Sequence, residues 1–133
     1  MIITTWNCNL KLKSKYECIE SLDSDILIIQ ECEKLKQDYF PSTQYYWTGR
    51  DENKGLGVLV KKDTANICKL HNPNFIYFLP IETENLNIMG VWAFNHRAVK
   101  YGDNANGRTL DAINYYDGWL KDSQKSIFAG DFN

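Results

Sequence analysis

The chain has 133 residues and a mass of 15.5 kDa; 44% of its residues are apolar, 14% aromatic and 24% charged. That apolar share can build a core, which excludes disordered and low-complexity classes, and the length fits one domain of about 100–200 residues. With 15 basic and 17 acidic residues, a net charge of −2 and a pI of 5.6, the chain does not coat nucleic acid by bulk charge, although an enzyme acting through a local patch stays open.

Residues 2–8 alternate and are rich in β-branched and aromatic types, which predicts a first strand. Ser14 and Glu17 have capping-box spacing, with Ile19 and Leu22 continuing an apolar face, so a short helix is expected over about residues 15–22. Asp23-Ser24-Asp25 ends it. Ile26-Leu27-Ile28-Ile29 is an unbroken apolar run, the mark of a strand covered on both faces. Strand, helix and strand in this order suggest a right-handed βαβ unit.

The middle reads differently. Tyr45 to Trp47, Gly57 to Val60, Ala65 to Leu70, Phe75 to Ile81 and Leu86 to Phe94 are strand candidates separated by Asn, Gly, Asp and Lys turn clusters. Their close spacing implies antiparallel pairing. After a loop over 101–107, Thr109 fits the N-cap of a helix reaching about Leu120, with Leu110, Ile113, Tyr116 and Leu120 on one face and Gly118 weakening its end. Residues 126–130 read as a last buried strand running into a polar turn. The class is mixed α/β with a largely antiparallel middle.

No basic n-region opens the chain and no apolar run approaches the roughly 20 residues of a membrane helix, so neither a signal peptide nor a membrane span is expected. Cys8, Cys18, Cys32 and Cys68 show neither C-x-x-C nor zinc spacing, and read as reduced core thiols of a cytoplasmic protein. His71, before Asn72-Pro73, reads as a surface or strand-end residue.

Four apolar strands end on polar residues: Trp6-Asn7-Cys8-Asn9, Ile29-Gln30-Glu31, Phe94-Asn95-His96 and Gly130-Asp131-Phe132-Asn133. In layered α/β folds ligands bind where strand ends converge. Asn7, Glu31, His96, Asp131 and Asn133 together are oxygen-rich with one imidazole. Such donors suit Mg²⁺ or Mn²⁺ better than zinc, and so few carboxylates suit a Mg²⁺ that keeps waters and takes a substrate phosphate.

These segments resemble the endonuclease/exonuclease/phosphatase superfamily, the DNase I-like metal-dependent phosphoesterases. Trp6-Asn7 resembles its first-strand motif, Asp25 to Glu31 its D-(apolar)-Q-E motif, Lys54 to Val60 its Gly-Val strand, Val91 to His96 its strand ending in His, and Gly130-Asp131-Phe132-Asn133 its G-D-F-N motif. The resemblance implies an α/β (α+β) fold of the four-layer α/β/β/α sandwich type, and a phosphodiesterase of nuclease type. Glu31 would bind the metal with Asn7 beside it, Asp131 would orient or deprotonate the attacking water, and Asn133 would hold phosphate and water. His96 would contact the scissile phosphate or protonate the leaving group, which argues against the abasic-endonuclease branch, where Tyr tends to stand. Asn9, Arg97 and Arg108 are candidate contacts to substrate phosphate, with Arg50, Lys54 and Lys100 also within the nearby loops. A phosphomonoesterase or lipid or inositol phosphatase of the same superfamily, or an inactive binding module, are the alternatives.

Family members continue past G-D-F-N to a later Asp and a closing S-D-H. The chain is therefore expected to be the N-terminal portion of a domain of about 200–250 residues, to have little activity alone, and to be open to self-association that covers the missing half. The expected partner is a phosphodiester substrate, nucleic acid among the candidates.

Overall fold

The computed structural model describes residues 1–62, 64–93, 109–122 and 125–132. Two four-stranded sheets face each other. The first contains β1 (Ile3–Asn7), β2 (Ile26–Cys32), β4 (Lys54–Val60) and β3 (Gln44–Asp51), in that order across the sheet. The second runs β5 (Ala65–Ile67), β6 (Phe78–Thr83), β7 (Asn87–Trp92), β8 (Ser126–Asp131). Each sheet has one parallel pair at its edge, β1 with β2 and β7 with β8, and the remaining pairs are antiparallel.

The alternation of side chains makes three apolar layers. Between the sheets lie Ile26, Ile28, Leu56 and Val58 from the first and Leu79, Ile81, Ile88 and Trp92 from the second. Gly90 lets the sheets approach there, because a Cβ on it would meet Val58 Cγ2 at 3.1 Å. Outside the first sheet, Leu12 and Ile19 of the segment carrying α1 (Tyr16–Ser21) cover Leu27, Ile29 and Leu59. Outside the second, Ala112, Tyr116 and Trp119 of α2 (Thr109–Asp122) cover Phe78, Met89 and Val91. The result is the expected α/β/β/α arrangement. Residues 26–30 are buried on both faces, as their unbroken apolar run implies.

Several local expectations need correction. The helix near residue 15 is a 3₁₀ turn over Leu12–Lys15 leading into α1, and no side chain caps it from within. Ser14 Oγ donates to Lys11 O instead, and the carboxylate of Glu33 takes the orphan amides of Leu12 (2.6 Å) and Lys13 (2.9 Å). The middle strands are antiparallel but divide between the sheets, β3 and β4 in one and β5 to β7 in the other. Residues 75–77 are turn rather than strand, since Asn72 O accepts from Phe75 and Phe75 O from Phe78. The end of the Leu86–Phe94 candidate, Phe94, lies outside the described residues.

In α2 the buried face is Ala112, Tyr116 and Trp119, whereas Leu110 is 67% exposed. Large rings outweigh the aliphatic stripe: Trp119 packs on Tyr116 and its Nε1 donates to Glu82 Oε1 at 2.8 Å. The last strand is not buried. β8 is an edge strand, and Ile127 and Phe128 are each 37% exposed. Cys18 is exposed while Cys8, Cys32 and Cys68 are buried. Burial pushes the Cys8 thiol up to about 11 and the Cys68 thiol up to about 11, in keeping with core thiols. His71 is half-buried, not a plain surface residue, and its Nε2 has no hydrogen-bond partner. No described helix is long and apolar enough to cross a membrane.

Candidate functional site at one end of the inter-sheet crevice

Strand parity dictates what reaches the end of the crevice. On β1, Ile3 faces the second sheet, so Thr5 and Asn7 share its side. On β2, Ile26 and Ile28 face inward and Leu27 and Ile29 outward, so a regular strand would turn Glu31 outward. The strand is not regular there. The register slips between Gln30, opposite Leu56, and Cys32, opposite Gly55, leaving Glu31 as the extra residue of a bulge with φ of 55°. Cys32 takes the outward place and packs with Ile29. Glu31 is thereby aimed across the strand ends, which is a left-handed conformation costly to a residue with a Cβ.

Asn7, Glu31 and Asp131 meet. Asn7 Nδ2 donates to Glu31 Oε1 at 3.3 Å and to Asp131 Oδ2 at 3.4 Å, joining the two sheets. Asn7 Oδ1 accepts from the backbone of Asn9 at 3.1 Å, and Asn9 itself is exposed with a φ of 48°. Asp131 is placed by β8: it stands opposite Trp92 on β7, and its carbonyl accepts from Ala93 N at 2.7 Å. Gly130 just before it has a φ of 147°, and a Cβ there would lie 1.8 Å from Val91 O. Only glycine fits this approach to β7.

Gln30 does not enter the cluster. It is buried and its amide is satisfied by Thr5 Oγ1 at 3.0 Å and Ile28 O at 3.2 Å, which locks β2 to β1 below the acidic end. Two further residues belong to the site. Lys54 Nζ lies 3.1 Å from Glu31 Oε2 and 5.3 Å from the centre of the Trp92 ring. The basic residue before a Gly-Val strand is visible in the sequence as one of several loop cations. Nothing in the sequence alone singles out Trp92; it follows from its register with Asp131.

The arrangement offers two carboxylates from different sheets, an amide between them and an ammonium beside one of them. Hard oxygen donors of this kind suit Mg²⁺ or Mn²⁺. Among the described residues no three His, Cys, Asp or Glu side chains are grouped as a metal cage. His96, Arg97, Arg108, Asn133 and Lys100 lie outside the described residues. Arg50 sits at the exposed end of β3. The surface hollows lined by Thr5, Cys18 and Ser21, and by Tyr16, Phe40 and Lys62, lie away from the acidic cluster.

No known family profile matches the sequence, and no curated protein does. Solved structures do match. A 3′-5′ exonuclease from Neisseria meningitidis superposes with a TM-score of 0.68 at 21% identity, over 100% of this chain and 58% of the exonuclease. An AP endonuclease from Archaeoglobus fulgidus matches with a TM-score of 0.62 at 13% identity, over 99% of this chain and 57% of that one. A truncated TDP2 from Caenorhabditis elegans matches at a TM-score of 0.55 and 14% identity, over 98% of this chain and 61% of that one. A 3′ phosphatase from Neisseria bound to a product DNA hairpin matches with a TM-score of 0.67 at 19% identity, over 98% of this chain and 57% of that one. The fold of this chain is therefore the DNase I-like sandwich, and the chain spans a little over half the length of the structures it matches.

Proposed function

We propose that this chain carries the first part of the active site of a divalent-metal-dependent phosphoesterase, acting as a nuclease-type phosphodiesterase. The observation that carries this reading is the bulge at Glu31. A left-handed Glu at the end of a buried strand sets a carboxylate 3.3 Å from Asn7, which in turn reaches Asp131 of the other sheet. Such strain is sustained where the surrounding structure over-determines it, and it collects at functional sites. The fold shared with nucleases of the DNase I-like kind supports the same reading.

In this reading Glu31, with Asn7 beside it, holds Mg²⁺ or Mn²⁺, and the bound cation supplies charge neutralisation to the phosphate. Asn7 fixes the Glu31 carboxylate through its Nδ2 and is itself held by Asn9. Asp131 orients the attacking water and accepts its proton, a task suited to a carboxylate at the crevice mouth. His96 and Asn133 complete the reacting centre at the leaving oxygen and the phosphate, and Asn9, Arg97 and Arg108 contact the substrate's phosphates. The substrate class is a nucleic-acid phosphoester.

The test is hydrolysis of a DNA duplex bearing a single 3′ terminus by a protein that carries this chain within a domain of the relatives' full length. Cleavage should require Mg²⁺ or Mn²⁺ and should fall by at least 10²-fold in Glu31→Ala and Asp131→Asn. Cleavage that survives chelation, or that is unchanged in both variants, overturns the proposal.

A further inference from the structure

Lys54 links the site's two halves in a way no motif predicts. It is the first residue of β4, and its ammonium lies 3.1 Å from Glu31 Oε2 on the first sheet and 5.3 Å from the Trp92 ring on the second. Trp92 is buried and stands directly opposite Asp131. The ammonium therefore occupies one oxygen of the carboxylate that would bind the cation, while the other oxygen faces Asn7.

A lysine and a divalent cation cannot both sit closely on one carboxylate oxygen, because their like charges repel. The ammonium and a cation bound through Oε2 are thus alternatives. Lys54 is partly exposed, with its side chain at 37%, so the ammonium can leave the carboxylate without opening the core. Its backbone is held by the β3–β4 hairpin, where Lys54 stands opposite Asp51, and the length of the side chain limits where the ammonium goes next. Within reach is the face of Trp92, the residue opposite Asp131 on the neighbouring strand.

We propose that Glu31 exchanges Lys54 for the divalent cation, and that the released Lys54 ammonium then binds the substrate's phosphate beside it. Resting on the metal-site reading above, this adds a phosphate-binding residue and a built-in competitor. The lysine holds the acidic end neutralised before the cation arrives, and it adds positive charge to the anion site afterwards. No bond is made or broken in the exchange; one ion pair replaces another.

The experiment is Mn²⁺ titration by calorimetry of a protein that carries this chain within a domain of the relatives' full length, with Lys54→Met, Lys54→Arg and Glu31→Gln compared with the unaltered protein. Dimethyl phosphate serves as the anion probe, followed by ³¹P line broadening in the presence of Mn²⁺. Removal of the competing charge should tighten Mn²⁺ binding about two- to fivefold in Lys54→Met, the range expected for a partly exposed ion pair. The same variant should bind dimethyl phosphate several-fold more weakly. Lys54→Arg should behave like the unaltered protein in both assays. A lysine with a merely structural role would not strengthen metal binding when removed. If Glu31→Gln abolishes Mn²⁺ binding but Lys54→Met leaves it unchanged or weaker, the exchange is overturned and the metal site stands. If that unaltered protein binds no Mn²⁺, both fall.

Discussion

The bulge at Glu31 makes a prediction whose sign, not only its size, is informative. At an ordinary strand position alanine is more stable than glycine by about 0.5–1 kcal/mol, because glycine has more backbone entropy to lose. Glu31 has a φ of 55°, and a residue with a Cβ pays about 1–2 kcal/mol to be there. Both Glu31→Ala and Glu31→Gly lose the same contacts, a long hydrogen bond from Asn7 and the Lys54 ion pair. These cancel in the comparison. The strain removed by glycine exceeds its entropic cost, so Glu31→Gly should be more stable than Glu31→Ala by about 0.5–1 kcal/mol. Urea denaturation of the two variants side by side measures the difference, which in a chain of this size corresponds to a melting temperature higher by about 2–5 °C. An alanine variant equal to or more stable than the glycine variant would refute the bulge, and with it the mechanism that turns Glu31 toward Asn7 and Asp131.

Other expectations follow from single positions. Gly130→Ala places a Cβ 1.8 Å from Val91 O and should cost about 2–4 kcal/mol by denaturation; a change under about 0.5 kcal/mol would show that β8 does not approach β7 as described. Gly118→Ala in α2, where a Cβ meets nothing within 4 Å, should stabilise the chain by about 1 kcal/mol, read as a raised melting temperature. Burial holds the His71 imidazole below its ordinary 6.5, and its Nε2 lacks a partner. Below pH 6.5 the unfolded chain takes up this proton before the folded one does, so stability is lost as pH falls from about 6.5 through the lower folded value. The chain should therefore lose stability between pH 7 and 5.5 more steeply than His71→Leu; equal slopes would place His71 in solvent.

Much of this architecture is legible in the residues. The run Ile26 to Ile29 announces a strand covered twice, and it is sandwiched between α1 and the second sheet. The ordered polar strand ends point to one cluster, and Asn7, Glu31 and Asp131 do come together from residues 124 positions apart. Tertiary context decides the rest. A period-two reading turns Glu31 to the wrong face, because a bulge is a backbone event set by pairing with β4 and leaves no local signature. The helix cap near residue 12 comes from Glu33, 21 positions away, so a local capping box could not reveal it. On α2 the expected Tyr116 and Leu120 do pack inward, but Trp119 joins them over β6 and β7 while Leu110 is left exposed. The final strand reads as buried from its apolar residues, yet among the described residues nothing covers Ile127 and Phe128, each 37% exposed. Lys54 is one cation among several until its ammonium is seen on Glu31.

The most direct test of the site is where Mn²⁺ sits. Added to isotopically labelled chain, the ion should bleach the amide signals of residues 7, 31 and 131 first, and this local bleaching should disappear in Glu31→Gln. The acidic pair Asp23 and Asp25, which holds Lys62 at the opposite end of β2, serves as the internal control and should remain unaffected at the same concentrations. Bleaching centred on Asp23 and Asp25, or uniform bleaching unaltered by Glu31→Gln, would contradict the assignment of the crevice end as the metal site.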